Sequence, residues 1–168
     1  MQLIEIDKAR YRRHLNITIT VAVVSFASLG VGLSSLLIHF FGKAPGENFW
    51  LNLLGVATAA LLVGKTLQSL KPRPWFTEIA YVWQLKQELN LINRRLRALQ
   101  AAVKVNDHNA LIVMLFNYQG SRQLWLLDDN TLNLQELEVQ LAQLELQIQQ
   151  LKLPISVTDY HRSLLDDF

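Results

Sequence analysis

The sequence predicts an all-α membrane protein, in which a transmembrane helical hairpin is followed by a cytoplasmic antiparallel three-helix bundle. Three observations predict it. No Asp, Glu, Lys or Arg occurs from Leu15 to Phe41. A second apolar run begins at Phe49, after only a short Gly- and Pro-containing connection. Beyond Pro74 the apolar residues recur at alternating steps of three and four, the spacing of one helix face.

The chain has 168 residues, of which 51% are hydrophobic and 18% charged. Soluble domains carry about 25% charged residues, and here the deficit is confined to the first half. Residues 1–14 form a basic segment with Lys8, Arg10, Arg12 and Arg13. Residues 15–41 form the first span, since about 20 apolar residues suffice to cross the hydrocarbon core. A secretory signal peptide is the competing reading. Its apolar region normally covers about 7–15 residues, and no second apolar run should follow it.

Residues 42–48, GKAPGEN, form the hairpin loop, because two glycines and a proline keep either helix from running through. Residues 49–70 form the second span, with Phe49 and Trp50 as interfacial aromatics. Lys65, near the far end, reaches the headgroups along its own apolar stem. Positive charge lies before the first span and after the second, at Lys65, Lys71 and Arg73, and the loop has only Lys43. This bias places both termini in the cytoplasm and the loop on the opposite side of the membrane. Small residues pair at four-residue spacing: Ser28 with Gly32, Gly30 with Ser34, Gly55 with Ala59, and Ala60 with Gly64. Such spacing lets helix backbones approach in lipid, and packing of the two spans on each other within one chain accounts for it more simply than a dimer.

Residues 71–74, Lys-Pro-Arg-Pro, form a linker, since each residue before a proline is pushed out of the helical region. Residues 75–168 form the helical domain. Its first helix, near Trp75 to Val105, carries the seam Val82, Leu85, Leu89, Ile92, Leu96, Leu99 and Val103, a coiled-coil-like pattern. Asp107 suits the N-cap of a second helix over 108–127. Asp128-Asp129-Asn130-Thr131 signals a turn, and Asn133 with Glu136 resembles a capping box. The third helix buries Leu134, Leu137, Leu141, Leu144, Ile148 and Leu151 and stops at Leu153-Pro154. A short helix after Thr158 packs Tyr160, Leu164 and Leu165.

Several chemistries are excluded. A formal charge of +2 is too small for nucleic acid. The absence of cysteine rules out disulfides and thiolate metal sites. His14, His39, His108 and His161 never pair with a carboxylate at helical ligand spacing, so no metal and no cofactor is expected. No phosphate-binding glycine loop, nucleophile elbow or HExxH is present, so no catalytic residue and no small-molecule substrate is identified. The exception is a basic cluster, Arg94, Arg95 and Arg97. Its guanidinium forks match phosphates or carboxylates of a partner. A solvated face beside the seam accounts for it more simply, and pairing with Glu136, Glu138 or Glu145 inside the bundle would need no partner at all.

The stretches "MQLIEIDKARYRRHLN", "FWLNLLGV", "YVWQLKQELN" and "YQGSRQLWLLDDNTL" together resemble a family of short proteobacterial inner-membrane proteins known only as a domain of unknown function. The resemblance covers nearly the whole chain. It implies an inner-membrane location, two spans and a cytoplasmic helical domain, and it supplies no catalytic motif. The expected function is a non-enzymatic membrane-anchored interaction or scaffold module, bound to the lipid bilayer and to a protein partner or a second copy. The alternative is a signal-relay or regulatory subunit that passes the state of the membrane to a coiled coil.

Overall fold

The structure is a computed structural model and describes residues 1–43, 47–130 and 132–168. The centre of the hairpin loop, with its proline and second glycine, and the last residue of the Asp128–Thr131 turn lie outside the described residues. Among the described residues every regular element is helical, as the periodicity predicts. The chain divides into two compact units: Ala9–Ala80, and Met1–Lys8 together with Tyr81–Phe168.

The first unit is a helical hairpin. Helix α1 spans Lys8–Phe41 and α2 spans Phe49–Leu70, and both are long and apolar enough to cross a membrane. The apolar run begins at Leu15, yet α1 starts at Lys8, because nothing in the basic segment breaks a helix. Its 34 residues extend about 51 Å at 1.5 Å per residue, well beyond a hydrocarbon core of about 30 Å. Two of the four small-residue pairs make the contact between the helices. Gly30 and Ser34 on α1 are buried, as are Gly55 and Ala59 on α2. A Cβ on Gly55 would lie 2.8 Å from the Ser34 Cα, so only glycine permits this approach. Ser34 Oγ donates to the Asn52 carbonyl at 3.2 Å across the same contact. Ser28, Gly32 and Ala60 are exposed. The outward faces, including Val23, Val31, Phe40 and Leu61, are apolar and uncovered.

After α2 the chain turns through Lys71–Arg73 into a 3-10 turn, Pro74–Phe76, where proline's fixed φ suits the first helical position. The long helix expected from Trp75 to Val105 is in fact two. Helix α3 covers Thr77–Arg94 and α4 covers Leu96–Lys104. At the junction, Arg95 has φ −109° and ψ 10°, and its N–H bonds to the Ile92 carbonyl, three residues back. No glycine or proline causes the break. It coincides with Arg95 Nη1 donating to the Leu165 carbonyl at 2.5 Å.

The second unit is built around α5, His108–Leu127. Ala110 to Asn117 are buried without interruption, the signature of a helix covered on all sides. Leu85 and Leu89 of α3 approach it at Gly120, where a Cβ would stand 3.2 Å from each. Helix α6, Leu134–Gln150, runs antiparallel to α5, with Arg122 paired to Glu138 and Gln119 to Glu145. The seam residues Val82, Leu85, Leu89, Ile92 and Leu99 are buried, as are Leu137, Leu144 and Ile148 of α6. The expected bundle is therefore completed by a fourth helix and by the tail. The tail forms two 3-10 turns, Val157–Asp159 and Arg162–Asp167, in place of the single helix expected there. It buries Tyr160, Leu164 and Leu165.

Helix ends follow local rules. Asp107 caps α5 by accepting from the Ala110 N–H at 2.8 Å. Asn133 does precede α6 but makes no side-chain cap, so the expected capping box is absent there. A capping box forms instead between Ser156 and Asp159. Helices α4, α5 and α6 each end on a left-handed residue, Asn106, Asp129 and Lys152. Each is followed by an N–H that reaches back five residues, from Asp107 to Ala102, Asn130 to Trp125 and Leu153 to Ile148. This is the Schellman closure, which satisfies the otherwise unpaired last carbonyls.

Candidate functional site

The arginine cluster singled out by sequence sits at the α3–α4 break, and the break divides it. Arg94 and Arg97 are exposed, while Arg95 is half-buried and engaged with the Leu165 carbonyl. The acidic residues of α6 do not face this cluster: Glu138 pairs with Arg122, Glu145 accepts from Gln119, and Glu136 accepts from Gln140 on its own helix. The histidines are not brought together. Among the described residues no group of three or more His, Asp or Glu stands close enough to hold a metal ion.

The structure builds a different polar centre beside the break. Glu88 of α3 is buried, and its Oε1 accepts from the Tyr160 hydroxyl at 2.8 Å. Arg162 Nε lies 3.2 Å from both carboxylate oxygens, and its Nη2 also donates to Oε2. Tyr160 stacks on Phe116 with ring centroids 3.9 Å apart. Burial alone would raise the Glu88 pKa, but the hydrogen bonds from Arg162 and Tyr160 outweigh it and hold the carboxyl below its ordinary range. Burial, and then the neighbouring carboxylate, push the Tyr160 phenol well above its ordinary value. The centre is thus a neutral phenol and a guanidinium closing over one ionised carboxylate, and it locks the tail onto α3.

Next to it lies an N-terminal arm. Residues Met1–Lys8 pack on the helical domain. The Ile4 N–H donates to the Tyr81 hydroxyl at 3.0 Å, and the Ile4 carbonyl accepts from Gln123 Nε2 at 2.5 Å. Tyr81 in turn donates to Gln123 Oε1 at 3.0 Å, closing a ring between α3, α5 and the arm. Lys8 pairs with Asp129 and Lys86 with Asp128, at 2.8 Å for the second, so the turn aspartates act as anchors. Composition had marked this segment only as basic. The available signal was its apolar content, Leu3, Ile4 and Ile6, which a solvated flank does not need.

In the hairpin, a third polar group gathers where α1 begins. Arg10 Nε lies 2.8 Å from Glu78 Oε1, and His14 Nδ1 lies 3.6 Å from Glu78 Oε2. The His14 ring, itself buried, stands 4.8 Å from Trp75.

A hairpin with bare apolar flanks followed by a helical domain defines a class of small helical proteins with two candidate membrane spans. The chain belongs to the family described as Protein of unknown function (DUF3087), whose model matches residues 1–165. No curated protein and no solved structure matches it.

Proposed function

We propose that the protein is a non-enzymatic, membrane-anchored helical module that binds a protein helix along the outer face of α6. The observation that carries this reading is a second apolar line on that helix. The inner seam, Leu137, Leu144 and Ile148, is used up in the core. On the opposite side, Leu132, just before the helix, and Val139 and Leu146 on it are 91%, 57% and 56% exposed. They recur every seven residues, with Gln135 and Ala142 between them and Gln149 beyond. A line of this period is what a second helix packs against, and Glu138 and Glu145 at its flank are already engaged with α5.

In this reading the hairpin crosses the inner membrane of a bacterium, with both termini and the helical domain in the cytoplasm. The support is the basic flanks of the hairpin and the uncovered apolar faces of α1 and α2. The test is in-cell crosslinking followed by purification in mild detergent. The native protein should yield a crosslinked adduct, with a partner or a second copy, that is lost in a Val139→Lys/Leu146→Lys variant of unchanged helicity. A native protein that stays a lone monomer with nothing captured sinks the reading.

One observation favours the signal-relay alternative. The arm that packs with the helical domain runs directly into α1 in sequence, and α3 follows the second span, so the chain connects the domain to both spans. Replacing Pro72 and Pro74 with alanine should then change partner capture strongly; unchanged capture counts against a relay.

A further inference from the structure

The two hairpin helices come close at Gly30 and Ser34 on one and Gly55 and Ala59 on the other. Toward the start of α1 and the end of α2 they leave an open groove of about 250 Å³. Ile17, Thr18 and Val21 form one wall, Thr66 and Leu67 the other, and Trp75 closes the end. The two threonine hydroxyls are turned onto their own helix, Thr18 to the His14 carbonyl and Thr66 to the Leu62 carbonyl, each at 2.8 Å. Apart from Ser25, what remains along the groove is apolar. Trp75 is held in place by the His14 ring, which in turn faces Glu78.

The mouth of the groove is cationic. Arg13 lies one turn before Ile17 and therefore on the same side of α1. Arg73 lies two residues before Trp75. Both are exposed, and among the described residues neither side chain has an ion-pair partner. Glu78, the carboxylate that faces His14, is paired with Arg10. An apolar slot that ends at a tryptophan and two unpaired guanidiniums fits one molecule: an acyl chain carrying an anionic phosphate. Guanidinium forks match phosphate oxygens, and basic pockets beside membrane helices hold anionic headgroups.

We propose that this groove binds one anionic phospholipid, with an acyl chain between α1 and α2 and its phosphate on Arg13 and Arg73. The proposal rests on the hairpin spanning a membrane, and the experiment separates the two. Carbonate extraction of membranes is done first: release of the protein would sink the membrane reading itself. Full-length protein retained in membranes is then purified in detergent. Native mass spectrometry and thermal unfolding follow, with phosphatidylglycerol or phosphatidylcholine added. One phosphatidylglycerol should bind in preference to phosphatidylcholine and raise the unfolding temperature. The Arg13→Gln/Arg73→Gln variant should lose about tenfold or more of that affinity. Val63→Trp, which fills the slot with both arginines intact, should abolish retention. Equal binding of the two lipids overturns the proposal. So does full retention in both variants, or a lipid-free dimer that occupies the groove with a second copy.

Discussion

The Tyr160 hydroxyl donates to Glu88 at 2.8 Å across 72 residues of sequence, and this one bond ties the end of the chain to the middle of α3. Because Glu88 is ionised and buried, its donors are worth more than neutral ones. Tyr160→Phe keeps the stack on Phe116 and removes only the donor. It should cost about 1.5–3 kcal/mol, read from denaturant unfolding of the helical domain in the full-length protein. A cost near zero would show that Arg162 alone satisfies the carboxylate.

The same centre sets a pH window. Glu88 has a lowered pKa in the folded state, so its contribution is complete above the unfolded glutamate value, about 4.3, and is lost as pH falls below it. Tyr160 has a raised pKa, so its contribution is complete below the unfolded tyrosine value, about 10, and fades as pH rises beyond it. Tyr81 and Tyr118 are raised by burial in the same direction. Unfolding midpoints should be flat between these limits and fall on both sides. In Glu88→Gln the acid limb should become shallower; an unchanged limb would assign it to other carboxylates.

Gly55→Ala should open the hairpin, because the new Cβ would meet the Ser34 backbone. The chain has no cysteine, so a Gly30→Cys/Val56→Cys pair reports the contact cleanly. Its disulfide yield should fall in the Gly55→Ala background. Gly32→Ala, where nothing lies within 4 Å, should leave it unchanged.

Lys152 holds a left-handed φ of 52° at the end of α6, where a Cβ is penalised. Lys152→Gly should stabilise the domain by about 1 kcal/mol. Asn106 and Asp129 occupy the same position at the ends of α4 and α5 with side chains that tolerate it, so the equivalent exchange there should gain less.

Tyr81→Phe removes the acceptor for the Ile4 N–H. Hydrogen exchange at Ile4 should quicken while the protection of α5 persists. Equal slowness in both proteins would mean that the arm is held by Gln123 and Lys8 alone.

Helix α5 was legible to the residue, since Asp107 fixes its start and the turn signal from Asp128 its end. The seams of α3 and α6 were legible because burial on one face demands a helical period. The break at Arg95 was not, as no glycine or proline announces it and its bond to Leu165 is a tertiary event. The same holds for the polar centre. Glu88 sits next to the seam residue Leu89 and looks like an ordinary flanking charge until Tyr160 and Arg162 arrive from the tail. The arm was hidden by Lys8 and by the arginines that follow it, whose charge pointed to the membrane flank and masked Leu3, Ile4 and Ile6 before them.

The docked arm also has a consequence for biosynthesis. Ile4 and Lys8 find their partners at Tyr81, Gln123 and Asp129, which lie 77, 119 and 121 residues further along. Both hairpin helices must be translated before the first of these exists. Until Asp129 has left the ribosome the arm has no complete place to bind, and its aliphatic residues stay open to chaperones and proteases while the rest of the chain is made.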